Sequence, residues 1–168
     1  SLLVPMVDTA HHAEALVRAC RYPPAGVRGM AAAVVRASGY GAAGDYVAAA
    51  DGEICLIVQA ETRKALENLD EIAAVEGVDA VFIGPSDLSA DMGFPGNPRA
   101  PEVVAAIEDA IRRIRAAGKA AGIIHYDAGQ FGHYAGLGVR FLGVGADVSL
   151  MRGAFGGVLA AARAATAG

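Results

Sequence analysis

Two acidic residues stand directly after two neighbouring apolar segments of the chain, and their types and positions suit a metal ion. Glu61 follows the run ICLIV, with Gln59 two residues before it, and Asp87 follows the run AVFI. Because residues two apart on an extended segment point to the same side, Gln59 and Glu61 are expected to act together. Carboxylate and amide oxygens are hard ligands, which favours Mg²⁺ or Mn²⁺ over structural zinc.

A purely structural role is the alternative for both acids. Negative side chains are favourable in the first turn of a helix, and spacing alone does not separate this role from metal binding. The turn Gly84-Pro85-Ser86-Asp87 adds weight to a site. A Gly-Pro turn after a strand exposes backbone N–H groups, and such groups can hold a carboxylate.

Histidine and arginine supply further candidates. His125 ends the apolar run AAGII and is either a base or a substrate contact, although a histidine in this position is more often a packing or specificity residue. His133 and the pair His11-His12 fall on predicted helices and are expected on solvated faces. Arg28 is expected either to approach a substrate or a neighbouring subunit, or to form an ordinary surface salt bridge.

Alternating strand and helix patterns position these residues. Continuous apolar runs, which are typical of buried parallel strands, occupy residues 2–7, 54–59, 78–84, 120–126 and 139–145. Segments with the apolar periodicity of helices lie between and after the strands. The first begins after the N-cap Thr9, and the others cover 61–77, 101–118, 130–135 and 151–165. The last of these has a weak point at Gly156-Gly157. Residues 29–52 are predicted to be a long loop with short helices, one of them at 45–50.

This alternation predicts an α/β fold with a parallel sheet. Neither a G-x-G-x-x-G motif after a strand nor a Walker A loop is present, which favours a barrel over an open doubly wound sheet. Five strands are predicted where a TIM (β/α)8 barrel has eight. We therefore expect residues 1–168 to be a single, incomplete barrel domain: the C-terminal part, with about five βα units and without the N-terminal strands. The active site of such a barrel lies at the C-terminal ends of its strands.

Composition excludes several classes of function. The chain has 168 residues, 54% of them hydrophobic, and a net charge of −4 with no basic stripe, so no nucleic-acid partner is expected. No apolar run reaches the roughly 20 residues that span a bilayer, and a cytoplasmic protein that binds a small metabolite is the simplest expectation. Cys20 and Cys55 are expected to be buried free thiols.

The stretch from Val4 to Ala154 resembles the HpcH/HpaI aldolase family. The family includes 4-hydroxy-2-oxoheptanedioate aldolase and 2-keto-3-deoxy sugar-acid aldolases. The resemblance is carried by the segments VPMVDT, CRYPPAGVRG, IVQAETRKALENLDEIAAVEGVDAVFIGPSDLSADMG and, more weakly, GVGADVSLMRGA.

The resemblance implies a class II aldolase that cleaves or forms 4-hydroxy-2-oxo acids through a pyruvate enolate. Its divalent metal, Mg²⁺ or Mn²⁺ with Co²⁺ as a third candidate, would be held by Glu61 and Asp87 and would chelate pyruvate beside Gln59. Pyruvate and an aldehyde are thus the implied partners. A lysine Schiff base is not needed, and neither Lys64 nor Lys119 is placed to form one.

The resemblance also implies substrate contacts. The backbone around Gly84, Ser86 and Asp87 would bind the pyruvate carboxylate, while Phe82 and Ile124 would line the pocket. Gln59 and His125 are the catalytic candidates in this chain. The family's His-Asp pair, associated with the base, and its substrate-contacting Arg lie on strands upstream of Ser1, so we expect the chain by itself to be inactive.

Assembly and two rival functions complete the expectations. Family-like proteins form hexamers built from dimers, and the Ala-rich segment from Met151 to Ala167 is expected to pack against another subunit. The rival enzyme is a citrate-lyase-like or malyl-thioester lyase, which needs a CoA-recognising surface that no extended basic segment suggests. The other rival is a non-catalytic half-barrel that assembles with itself or a partner through its open strand edges.

Overall fold

The computed structural model describes residues 1–166 and contains five strands and eight α-helices. The strands are β1 (Leu2–Val4), β2 (Leu56–Ala60), β3 (Ala80–Ile83), β4 (Ala120–Ile124) and β5 (Phe141–Gly143). The helices are α1 (Ala10–Cys20), α2 (Tyr46–Glu53), α3 (Arg63–Glu67), α4 (Leu69–Ala74), α5 (Pro85–Asp91), α6 (Pro101–Ala116), α7 (Phe131–Leu137) and α8 (Asp147–Thr166).

All five strands form one parallel sheet in the order in which they occur along the chain. Each strand is joined to the next by a segment that contains at least one helix, as parallel pairing requires. The result is a curled half-barrel with helices. The predicted α/β barrel fragment with about five βα units is therefore confirmed.

The core lies between the outer face of the sheet and the helices. Val81 and Ile83 on β3 and Ile123 on β4 are fully buried there, and Ile107, Ile111 and Ile114 of α6 meet them from the helix side. On the inner face of the sheet, Phe82 packs against Phe141 with ring centroids 5.5 Å apart. Gly122 lies under both rings, because a Cβ there would stand 2.6 Å from the ring of Phe82.

Threonine caps fix where two helices begin. The Thr9 side chain accepts a hydrogen bond from His12 N at 3.2 Å, as the sequence predicts, and Thr62 caps α3 by accepting from Ala65 N at 3.0 Å. The predicted helix over 61–77 is divided at Asn68 into α3 and α4. The Asn68 amide donates to the backbone oxygen of Asp8 at 2.8 Å and so ties this break to the end of β1.

Three predictions about the elements were wrong in detail. The strand predicted over 2–7 ends at Val4, since Met6 has a φ of 57° that extended structure does not allow. The turn predicted at Gly84-Pro85 is the start of a helix, α5. The weak point predicted at Gly156-Gly157 is absent from the described part of α8, which begins at Asp147 and continues through both glycines to Thr166; Ala167 lies outside the described residues.

Other predictions concern single side chains and the surface. Arg28 does not form the surface salt bridge considered above: it donates to the Tyr46 hydroxyl at 2.7 Å and lies over the Tyr22 ring at 4.4 Å. Cys20 and Cys55 are free thiols, but only half-buried. Within residues 1–166, no helix combines the length and the apolar character needed to cross a membrane.

The core contacts of α6 predict a large cost for shortening one side chain. Ile111→Ala should lower the free energy of unfolding by about 2–5 kcal/mol, because Ile111 is 0% exposed and a cavity would remain. Arg112→Ala, one residue later on an exposed position, is the control and should change it by about 0.5 kcal/mol or less. Urea denaturation of the two variants measures both values, and equal effects would contradict the packing described here.

Candidate metal and substrate site

The buried carboxylate of Glu61 is the centre of the site. Glu61 follows the last residue of β2 and is only 3% exposed. Met6 N donates to its Oε1 at 2.9 Å, and Gln59 Nε2 donates to its Oε2 at 3.0 Å. The expectation that Gln59 and Glu61 face the same side is confirmed, and both carboxylate oxygens have fixed positions.

The backbone donor to Glu61 comes from a strained residue. Met6 is a non-glycine residue in the left-handed region, with φ 57°. Its neighbour Val7 donates to Gln59 O at 3.0 Å, so the chain after β1 bends across the end of β2. Backbone strain of this kind persists where surrounding contacts enforce it, and here it aims the Met6 N–H at the carboxylate.

Gly84 provides the space that Glu61 occupies. A Cβ on Gly84 would lie 2.9 Å from the Glu61 Cβ and closer still to its carboxylate. Gly84 follows β3 directly, so this close approach brings the ends of β2 and β3 together. Position 84 therefore requires glycine because there is no room for a side chain. The backbone conformation does not require it, since a φ of −97° is open to other residues.

Three acids share this region. Burial raises the pKa of Glu61, and the negative charges of Asp87 and Asp8 raise it further, while the hydrogen bonds from Met6 and Gln59 lower it. A desolvated carboxylate close to two other acids is stabilised in its charged form by a cation. The donor set thus fits a divalent cation bound by oxygen.

Asp8 is the acid that the sequence analysis missed. It accepts a hydrogen bond from the Thr62 hydroxyl, and Thr62 is the residue after Glu61. The available signal was the same one that located Glu61 and Asp87, because Asp8 is the first polar residue after the apolar run LLVPMV. Its oxygen ties the start of α3 to the end of β1.

The carboxylates form an open arrangement. Over residues 1–166, no three His, Cys, Asp or Glu side chains are already grouped closely enough to hold a metal ion. Mg²⁺ and related ions are commonly held by one or two carboxylates with water and substrate in the other positions. Glu61 and Asp87 fit this pattern better than they fit a complete protein cage.

The first turn of α5 carries Ser86 and Asp87. The first hydrogen bond of the helix runs from Leu88 N to Gly84 O at 3.1 Å. The N–H groups of Ser86 and Asp87 therefore have no partner within the helix, as is usual for the first amides of a helix. Both residues are exposed. Asp87 is thus also a first-turn acid. Glu61 instead lies before the N-cap residue Thr62 of α3 and is bonded to Met6 and Gln59, so it is not a capping or first-turn acid.

The remaining predicted residues lie in two places. Phe82 is 6% exposed on the inner face of β3. Ile124 and His125, at the end of β4, line a cavity of about 520 Å³ together with Ser86. Gln59, Glu61 and Asp87 do not line that cavity, whereas Ser86, the residue before Asp87, does.

The model of the HpcH/HpaI aldolase/citrate lyase family matches residues 1–154. The chain belongs to this family. A hydroxypyruvate/pyruvate aldolase of Pseudomonas aeruginosa is 60% identical over 151 residues, which are 90% of this chain and 56% of that protein. A 4-hydroxy-2-oxo-heptane-1,7-dioate aldolase of Klebsiella pneumoniae is 55% identical over 155 residues, covering 92% of this chain and 58% of that protein.

Solved structures agree with this membership. An HpcH/HpaI aldolase/citrate lyase family protein from Burkholderia cenocepacia superposes with a TM-score of 0.90 at 36% identity, over 96% of this chain and 64% of that one. The HpcH/HpaI aldolase of Desulfitobacterium hafniense gives a TM-score of 0.86 at 31% identity. The chain thus spans little more than half the length of the curated relatives described above. Both of these relatives are named aldolases.

The contact between Gly84 and Glu61 can be tested without any ligand. Gly84→Ala should lower the free energy of unfolding by about 1–3 kcal/mol, because the new methyl group overlaps the Glu61 side chain. Gly132→Ala is the matched control, since a Cβ there meets nothing within 4 Å. Denaturant titrations decide the point, and a Gly84→Ala protein as stable as the control would show that Glu61 is not held against Gly84.

Proposed function

We propose that these residues are the metal and pyruvate half of a class II aldolase, which cleaves or forms 4-hydroxy-2-oxo acids through a pyruvate enolate. The observation that supports this most is the buried Glu61 carboxylate, oriented by Met6 and Gln59 beside two further acids. Glu61 and Asp87 would hold Mg²⁺, Mn²⁺ or Co²⁺. The aldolase names of relatives that are 55–60% identical support the reaction class.

The reaction requires charge to develop on one oxygen. In cleavage, the C4 hydroxyl gives its proton to a base, the C3–C4 bond breaks, and its electron pair passes to pyruvate as the enolate, while C4 becomes the aldehyde carbon. The enolate then takes a proton at C3. A bound divalent cation would supply positive charge next to the C2 oxygen, where the negative charge develops.

The chain's own residues would bind and orient pyruvate. The amides of Ser86 and Asp87 would hold its carboxylate at the start of α5. Gln59 would keep Glu61 in one orientation through the 3.0 Å bond to Oε2. Phe82 and Ile124 would line the apolar side of the pocket around the reacting carbons.

The reaction also needs a general base to take the C4 hydroxyl proton. The resemblance assigns the family's His-Asp pair and Arg to none of these 168 residues, and His125 lines the cavity, which Glu61 and Asp87 do not. General bases contribute about 10²–10⁴-fold to such reactions. We therefore expect the 168 residues alone to bind metal without measurable turnover.

Removing either metal ligand tests the proposal. Glu61→Gln or Asp87→Asn should weaken Mn²⁺ binding to the chain by at least about 10–100-fold, the range that follows the loss even of a group supporting a ligand. Glu71→Gln, an exposed acid on α4, is the control. Paramagnetic resonance of free Mn²⁺ measures the affinity.

Turnover is measured in a longer protein, in which these residues follow the N-terminal part of the Pseudomonas aeruginosa relative. Cleavage of a 4-hydroxy-2-oxo acid should need Mn²⁺ or Mg²⁺ and should be lost in both ligand variants. Full activity of either variant after chelator treatment would overturn the metal assignment.

We also propose that α8 is buried against a second copy of the chain. Every described residue of α8 is exposed, including six large apolar side chains that are each at least 50% exposed: Val148, Leu150, Met151, Phe155, Val158 and Leu159. An apolar surface of this extent on one helix is typical of an interface. The expectation from the family, hexamers built from dimers, agrees with this.

Assembly is tested by placing charge on α8. Phe155→Glu should reduce the mass measured by light scattering, because an ionised side chain is costly to bury in an apolar contact. Ala105→Glu, on an exposed position of α6, should leave the mass unchanged. A monomeric wild-type chain whose α8 is cut readily by protease would contradict the proposal.

A further inference from the structure

A cavity of about 520 Å³ lies at the C-terminal end of β4, between α6 and α7. Ser86 of α5 lines one side of it and Tyr134 of α7 lines another. Its volume is within the range of small-molecule sites. None of the candidate metal ligands reaches it, so its role is not explained by the carboxylates.

The ionisable side chains around the cavity are paired with one another. Arg99 lies 3.5 Å from Asp127, and His133 Nε2 lies 2.9 Å from Glu108 Oε1. The lining contains two carboxylates, those of Asp127 and Glu108, and one guanidinium, that of Arg99, so acids outnumber the permanent cation. The charge pattern therefore disfavours an anionic ligand.

Neutral polar groups in the cavity have no such partners. Tyr134 is only 3% exposed, and its hydroxyl makes no hydrogen bond to any residue that the structure describes. Burial and the nearby charge of Glu108 raise the pKa of Tyr134, which keeps its proton on the oxygen. Within residues 1–166 the only buried side-chain polar atom without a partner is Arg28 Nη1, so the Tyr134 hydroxyl is open to the cavity and can donate a hydrogen bond to a ligand there.

His125 offers a second neutral donor. Its Nδ1 accepts a hydrogen bond from Asp127 N at 3.2 Å, so the proton of the neutral ring lies on Nε2. Nε2 has no hydrogen-bond partner within residues 1–166. The His125 ring packs on Tyr134 at a centroid distance of 5.2 Å, which leaves two adjacent rings with polar atoms at their edges.

This combination matches a hydroxylated carbon chain. Its hydroxyl groups can satisfy the Tyr134 hydroxyl and His125 Nε2, and its C–H groups can pack on the two rings. An unsubstituted alkyl chain would take the place of water at both groups without replacing its hydrogen bonds, and a carboxylate ligand would face the acids Asp127 and Glu108.

Position links the cavity to the proposed reaction. Ser86 and Ile124 line it, and both belong to the segments proposed to contact pyruvate. In aldol chemistry the aldehyde carbon bonds to C3 of pyruvate, so the rest of the aldehyde extends away from the pyruvate half. The cavity begins at Ser86 and Ile124, next to the proposed position of pyruvate.

We propose that this cavity binds the hydroxylated part of the aldehyde substrate, with His125 and Tyr134 as specificity-determining residues. The proposal rests on the aldolase function proposed above. It assigns to His125 recognition of the substrate and gives it no part in removing the proton.

Binding to the chain itself provides a first test that needs no turnover. Erythritol, an unreactive polyol, should shift the methyl resonances of Ile107 and Ile124 in a saturable way, and succinate should not. Tyr134→Phe and His125→Gln should each weaken erythritol binding by about three- to tenfold, the effect of one lost hydrogen bond. Tyr40→Phe, at a residue 68% exposed, is the control. No erythritol shifts, unchanged binding in both variants, or tighter binding of succinate would each overturn the proposal.

The second test ties the cavity to the reaction. In the longer protein described above, the kcat/KM for glyceraldehyde divided by that for propanal should fall about three- to tenfold in Tyr134→Phe. A general loss of stability would not change this ratio. An unchanged ratio with normal erythritol effects would overturn the assignment to the aldehyde. A longer protein without any aldolase activity would instead contradict the proposed function, while the erythritol titration still tests the cavity.

Discussion

The position of the Glu61 carboxylate constrains everything around it. It is held from one side by the Met6 amide, from another by Gln59, and it lies against a backbone that has no Cβ at Gly84. Three strands, β1, β2 and β3, therefore meet at one side chain. The left-handed conformation of Met6 and the absence of a side chain at Gly84 are both understandable as conditions for placing this charge out of water.

Two further acids, Asp8 and Asp87, lie close enough to the Glu61 carboxylate to affect its ionisation. Burial and two neighbouring negative charges oppose its ionisation, and two hydrogen bonds only partly offset them. Such an arrangement is unfavourable for stability alone, since an apolar side chain would pack there without this penalty. Its chemistry is suited to receiving positive charge, and this is the physical basis of the proposed metal-dependent aldolase.

The sequence predicted the fold and one hydrogen-bond partner of Glu61, Gln59, because both depend on local patterns. Continuous apolar runs identified the five strands, and the two-residue spacing of Gln59 and Glu61 placed them on one side. Met6 escaped prediction because its contact with Glu61 spans 55 residues, whereas Asp8 carried the same signal as Glu61 and Asp87, a polar position directly after an apolar run. The start of α5 was also missed, since Gly84-Pro85 is compatible with a turn and with a helix whose first residue is proline.

The junctions after β3 and β4 differ in a way that bears on how such a protein can change. Helix α5 begins two residues after Ile83, so Ser86 and Asp87 are anchored to the sheet with almost no intervening backbone. After Ile124, by contrast, residues 125–130 form irregular backbone and a short 3₁₀ turn. Substitutions in the second junction can alter the shape of the cavity without moving the carboxylates. Under the proposed function, variation in the second junction would change which aldehyde is accepted, while the carboxylates that follow β2 and β3 would keep their positions.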